Sequence, residues 1–157
     1  EVFNVDVVHR LFGADDRVRT RAVEIRLPKL AFRVIHPLDV LKSRVDNLHG
    51  LTEKQNELGK AQLGAAIEVA RAFQRDAVHA EKAAPTRRPA SLRYVAFIEQ
   101  VALGAAGKKV AARYGIHVAD AIEAGAVPNR DFREKKLPRL ARFMSEERRR
   151  ELGLSLD

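Results

Sequence analysis

The apolar positions at the N-terminal end of the chain follow the pattern of short strands. Residues 2–9 alternate and are rich in valine, with Phe3, Val5 and Val7 on one face. Residues 22–27 and 31–35 are two further β-branched segments, and each stops at a proline. No run between these segments is long enough for a crossover helix. The pattern therefore predicts a small antiparallel or mixed sheet of about three strands.

From Pro37 onward the apolar residues recur at spacings of three and four, which indicates amphipathic helices. The first predicted helix covers residues 37–48, with Pro37 at its first position. Its inward face holds Leu38, Leu41, Val45 and Leu48. The second should run to about residue 80, with an inward face of Leu58, Leu63, Ile67, Ala70, Phe73 and Ala77.

Further helices are predicted over residues 91–106, 108–114, 118–124 and 145–152, with Pro128 and Pro138 breaking the pattern before the last of them. The fold class is therefore α+β, with a small N-terminal sheet followed by a mainly α-helical region. A proline-rich segment, residues 83–90, divides the chain into a first region, 1–83, and a second helical region, 84–157.

The net charge of +8 is concentrated in the second region. Residues 1–83 carry 14 basic and 12 acidic side chains, whereas residues 84–157 carry 15 and 9. Such an excess attracts polyanions by counterion release and long-range steering. It is equally typical of a protein whose arginine-rich surface is simply solvated.

Several chemistries are excluded by residue usage. The chain has no cysteine, so it holds no disulfide, thiolate zinc site, iron–sulfur cluster or cysteine nucleophile. No two of the five histidines have the i, i+4 spacing of a helical metal site. No stretch approaches 18 apolar residues, so we expect no membrane span. The lack of cysteine also fits a reducing compartment, and we expect the protein to be cytoplasmic.

Asp6 lies in the middle of the apolar segment FNVDVV. A carboxylate there is costly unless it has a partner, and carboxylates on a sheet face are usual ligands of Mg²⁺. The alternative is that Asp6 faces solvent from a half-exposed strand. The sequence leaves both interpretations open.

The predicted helix over residues 37–48 carries a second candidate. Lys42 can pair with Asp39 or with Asp46, and such pairs are ordinary features of a polar helix face. Alternatively, Lys42 points into a cleft and binds phosphate as a cation. The residue types in this segment fit either role.

Together these segments resemble the C-terminal portion of nucleotidyltransferase-superfamily proteins of the abortive-infection (AbiEii-like) type. The resemblance covers roughly residues 3–80. It rests on the hydrophobic–Asp–hydrophobic strand Val5-Asp6-Val7, and on the proline-led helix HPLDVLKSR with Lys42 and Arg44. The Gly-Ser and Asp-x-Asp motifs of that family precede this strand and do not occur here, so we expect an N-terminal portion carrying them to precede Glu1.

The resemblance implies transfer of a nucleoside monophosphate from an NTP to an RNA or protein acceptor, as in nucleotidyltransferases of toxin–antitoxin systems. It implies Mg²⁺ as cofactor, Asp6 as metal ligand and catalytic carboxylate, and Lys42 and Arg44 as nucleotide-binding cations. The basic second region would then hold the acceptor.

The alternative is a non-catalytic basic helical protein that binds nucleic acid or an acidic protein partner. The two short helices predicted around Gly115 vaguely resemble a helix-turn-helix. The second of them, VADAIEAGA, is acidic and small, and lacks the Arg, Asn and Gln of a recognition helix. An antitoxin-like helical module would instead form a stable complex with an acidic protein.

Overall fold

The computed structural model describes residue 12 and residues 17–84, 89–123 and 129–155. A short helix α1 and a β-hairpin are followed by a helical body, which confirms the α+β class. The elements are α1 Val18–Arg21, β1 Val23–Leu27, β2 Leu30–Val34, α2 Pro37–Gly50, α3 Glu57–Ala83, α4 Ala90–Leu103, α5 Ala105–Tyr114, α6 Leu137–Leu140 and α7 Glu146–Glu151. The strand predicted over residues 2–9 lies outside the described residues, so the described sheet has two strands rather than three.

The hairpin has one apolar and one polar face because directly opposed residues of antiparallel strands project to the same side. Ile25 is opposite Phe32, and Glu24 is opposite Arg33. The apolar face consists of Val23, Ile25, Leu27, Leu30, Phe32 and Val34. Leu27 and Leu30 are more than half exposed, so among the described residues little covers this face.

Helix α2 lies at the centre of the body and packs against α3, α4 and α5. Its four predicted inward residues are all buried. The helix begins where Pro37 fixes a helical φ, and the Nδ1 atom of His36 accepts a hydrogen bond from the Leu38 N–H at 3.2 Å. The predicted position and inward face of this helix are therefore confirmed.

The inward face of α3 differs from the prediction at Leu58. Leu63, Ile67 and Ala70 are buried as expected, but Leu58 is 66% exposed. Leu58 and Leu63 are five positions apart in the sequence, which places them about 140° apart around the helix. Toward its C-terminal end the helix buries Gln74 and Val78, whereas Phe73 and Ala77, predicted to face inward, are only partly buried.

Helices α3 and α4 are joined by a polar contact at the start of α4. The Glu81 carboxylate accepts hydrogen bonds from the Ser91 N–H at 2.9 Å and from its hydroxyl at 2.6 Å. The Gln74 amide nitrogen donates to the Ser91 carbonyl at 3.5 Å, and its oxygen accepts from the Glu123 N–H at 2.7 Å. The buried amide thus has partners on both sides.

The helices predicted over residues 91–106 and 108–114 are α4 and α5 in the structure. The break between them lies at Gly104, which adopts an extended conformation, so α4 ends and α5 begins three residues earlier than predicted. The helix predicted over residues 118–124 is described as far as residue 123, and that part contains a single 3-10 turn, Val118–Ala121. The last helix is confirmed as α7, with the side chain of Ser145 as its N-cap.

Pro138 does not end the helical pattern. It stands within α6, after a π-helical turn, Phe132–Lys136, which widens the backbone just before the residue that lacks an N–H. Further 3-10 turns lie at Thr52–Lys54 and Ala141–Phe143.

One hydrophobic core joins residues from both sides of the 83–90 segment, from Leu38 to Met144. Within the described ranges, no helix is long and apolar enough to cross a bilayer.

Candidate functional site

The structure describes two of the three sequence-predicted site residues, and it places these two on different sides of one helix. Asp6 lies outside the described residues. Lys42 and Arg44 are two positions apart on α2, which is about 200° around the helix. Arg44 donates a hydrogen bond to Gln62 of α3 at 3.1 Å, whereas Lys42 lines a cleft next to α4 and α5. The two cations are therefore not brought together.

We call this cavity of about 550 Å³ the Lys42 cleft. It lies between the α1 segment that precedes the hairpin, the polar side of α2 and the junction of α4 with α5. Its charged lining residues are Arg17, Arg21, Asp39, Lys42 and Asp46, and its other side is formed by Phe97, Gln100 and Val101 of α4 together with residues 104–106. Three cations thus share the cleft with two carboxylates, and each carboxylate is bonded to one of the cations.

Arg21 and Asp39 form the most buried of these pairs. The guanidinium donates two hydrogen bonds to the carboxylate, from Nε at 2.9 Å and from Nη2 at 2.6 Å. The Asp39 residue is only 3% exposed. Two parallel bonds fix the plane of the guanidinium, so this contact ties the end of α1 to the first turn of α2.

Lys42 forms a more exposed pair. Its Nζ donates to Asp46 at 2.6 Å, one turn along the same helix, and both side chains keep substantial solvent exposure. Helical pairs of this spacing stabilise a helix by only about 0.3–0.5 kcal/mol. Exchange of the Asp46 carboxylate for an incoming anion at the ammonium group therefore gives up only about this much helix stability.

The N-terminus of α5 contributes the uncharged side of the cleft. Its N-cap is Gly104, which has no side chain to accept a hydrogen bond, and the first turn contains no acidic residue. Lys108 is the first residue of this helix whose N–H donates a hydrogen bond of the helical type, to the carbonyl of the N-cap residue Gly104. The preceding N–H groups therefore have no helical acceptor, and the helix dipole adds partial positive charge beside the three cations.

His36 lies in the short connection between strand β2 of the hairpin and helix α2. Its ring makes edge contacts with Phe73, at a centroid distance of 4.8 Å, and with Tyr94, at 5.5 Å. Burial lowers the pKa of His36 below 6.5, Asp39 acts to raise it, and Arg21 lowers it further. The neutral ring is also the form whose Nδ1 can cap α2.

Lowering the pH is expected to destabilise the protein through His36. Because its pKa is lower in the folded state, the unfolded chain binds the extra proton first, and stability falls as the pH drops from about 6.5 toward the folded pKa. His36→Asn keeps a side-chain oxygen that can cap α2 but does not titrate. Urea unfolding at several pH values should show a smaller loss below pH 6.5 for the variant. An equal loss in both proteins would remove His36 as the cause.

The described residues contain no cluster of three or more potential metal ligands. The two carboxylates of the Lys42 cleft are each engaged by a cation, Asp39 by Arg21 and Asp46 by Lys42. The expected role of Asp6 as a ligand of Mg²⁺ stays a prediction, since that residue lies outside the described part of the chain.

A second cavity, of about 360 Å³, lies on another side of the body and contains two arginines with structural roles. The Arg71 Nε donates to the Asp120 carbonyl at 2.9 Å, and Arg148 donates to the Ile122 carbonyl at 2.8 Å. Arg148 is only 7% exposed and also pairs with Glu151 at 2.6 Å. These contacts fix the C-terminal end of the 3-10 turn Val118–Ala121 against α3 and α7.

The sequence does not indicate Arg17, Arg21 or residues 104–106 as parts of the site. These residues come from two segments that are distant from Lys42 along the chain, and no local pattern connects them with it. The one available signal is Gly104, which marks a break in a helical pattern.

Comparison with protein-family models, with curated proteins and with solved structures gave no significant match.

Proposed function

We propose that the Lys42 cleft binds the phosphate chain of a nucleoside triphosphate, and that the protein acts in nucleotidyl transfer. The observation that carries this proposal is the grouping of Arg17, Arg21 and Lys42 with the open N-terminus of α5 around one cavity. Guanidinium, ammonium and helix N–H groups are the donors that proteins commonly use for phosphates.

Each group would have a distinct part in binding. Lys42 exchanges its bond to Asp46 for a phosphate oxygen, at a cost limited to that of one half-buried i, i+4 pair. Arg21 keeps its two bonds to Asp39 and contributes its positive charge from a fixed orientation. The backbone N–H groups at the start of α5 add direction, because they cannot move relative to the helix.

The described residues supply phosphate binding, whereas the chemical step rests on the family resemblance. That resemblance is the basis for the catalytic role of Asp6, for the requirement for Mg²⁺ and for RNA or a protein as acceptor. Arg44, predicted to bind the nucleotide, bonds to Gln62 and does not line the cleft. In this proposal Arg44 positions α2 against α3.

Removing the Lys42 charge should weaken nucleotide binding. We expect Lys42→Met to raise the dissociation constant of an NTP about tenfold, the effect of one charge-assisted hydrogen bond. Isothermal titration with each of the four NTPs, with and without Mg²⁺, measures this. Lys60→Met is the matched control, because Lys60 is similarly exposed and also forms a helical ion pair, with Glu57 at 2.6 Å. Equal effects of the two variants, or no NTP binding by the wild type, would contradict the proposal.

A second candidate function is binding of a polyanion, such as RNA, by the basic C-terminal region. Arg133, Arg139 and Arg142 are exposed, and none forms an ion pair with another described residue. Binding of a labelled RNA that falls steeply with salt and is unchanged by Lys42→Met would favour this function over the first.

A further inference from the structure

We infer that the outer edge of β1 pairs with β1 of a second copy of this chain, forming a symmetric antiparallel dimer. The inference is independent of the nucleotide-binding proposal. It rests on the strand sequence Val-Glu-Ile-Arg-Leu, which is complementary to itself when it is reversed.

In an antiparallel pairing centred on Ile25, the two copies of Ile25 are opposite each other. Val23 of one copy is then opposite Leu27 of the other, so the apolar face continues across the junction. On the polar face, Glu24 of each copy is opposite Arg26 of the other. The two-fold axis therefore creates two oppositely charged cross-strand pairs, which stabilise a sheet.

The side chains needed for these pairs are in position in a single copy. Glu24 and Arg26 already bond to each other along the strand at 2.7 Å, and both are exposed. Within the described residues β1 pairs only with β2, so its other edge has no described strand partner. An edge without a strand partner is a template for another strand, and two strands alone are only marginally stable in water. Dimerisation would join the described strands in the order β2-β1-β1-β2.

The edge of β2 does not have this property. An antiparallel pairing of β2 with itself, centred on Phe32, would put Ala31 opposite Arg33 and leave the arginine without a carboxylate. The charge pattern therefore selects β1.

Five residues of edge contact bury less area than a standard stable interface of roughly 1,600 Å², and the net charge of +8 opposes association. We therefore expect a weak, concentration-dependent dimer.

Sedimentation equilibrium of the full chain from about 10 µM to about 1 mM covers the affinities expected for an interface of this size. Glu24→Arg and Arg26→Glu each place like charges opposite one another at two symmetric positions. Each should raise the dimer dissociation constant about tenfold. The double variant Glu24→Arg/Arg26→Glu restores both cross-strand pairs and should recover most of the lost affinity.

Two control variants separate this effect from net charge. Arg19→Glu and Glu53→Arg change the charge by the same amounts at exposed positions outside β1, and they should leave the dimer intact. Circular dichroism checks that every variant folds, since Glu24→Arg also puts two arginines opposite each other within the hairpin, the second being Arg33. A wild-type monomer over the whole range, or a double variant that dimerises no better than the single ones, would overturn the inference.

Discussion

Gly59→Ala is expected to lower the free energy of unfolding by about 3 kcal/mol, at the upper end of what an overpacked methyl group costs. A Cβ atom at this position would lie 1.9 Å from the Lys54 carbonyl oxygen, which is backbone and cannot rotate away. The 3-10 turn Thr52–Lys54 or the first turn of α3 would have to shift. Thermal unfolding should show a fall of about 6–12 °C, at roughly 2–4 °C per kcal/mol for a chain of this length.

Gly64→Ala is the matched control in the same helix. Apart from its chain neighbours and the backbone of its own helix, nothing lies within 4 Å of the position that its Cβ would occupy, so the methyl group meets open space. Alanine is the better helix former by about 1 kcal/mol, so this variant should be slightly more stable than the wild type. If both variants lost stability equally, the close contact at Gly59 would not be the cause.

Arg21→Ala is expected to cost about 3 kcal/mol of stability. The substitution leaves the Asp39 carboxylate buried without the guanidinium that donates two hydrogen bonds to it. Removing one partner of a buried ion pair typically costs about 3–5 kcal/mol, and the lower end applies because the Arg21 side chain is 36% exposed. Equilibrium unfolding in urea measures the loss.

Two further variants test this explanation. Arg130→Ala removes an arginine from an exposed pair with Glu134, and it should change stability by about 0–1 kcal/mol. Arg21→Ala/Asp39→Asn replaces the orphaned carboxylate by a neutral amide, so it should be more stable than Arg21→Ala alone. A double variant that is less stable than the single one would show that the buried charge is not the source of the loss.

The elements with a strong local pattern are predictable from the sequence. The hairpin strands end at prolines, and α2 has a proline at its start and a regular apolar face, so the pattern places them to within about two residues. These features depend on neighbours in the chain and need no tertiary information.

The prediction is wrong where tertiary contacts decide the outcome. Leu58 is apolar and is therefore predicted to face inward, but the first turn of α3 buries Gly59 against Lys54 instead. The burial of Gln74 has no local signal, because its partners Ser91 and Glu123 come from distant segments. The Lys42 cleft is only partly predictable for the same reason, since it joins segments from Arg17 to residues 104–106.

The contact of Glu81 and Gln74 with Ser91 has a practical consequence. Because side chains hold the end of α3 to the start of α4, the corner between these helices does not depend on the covalent connection around residues 84–89. That connection is therefore the natural place to splice in a reporter peptide.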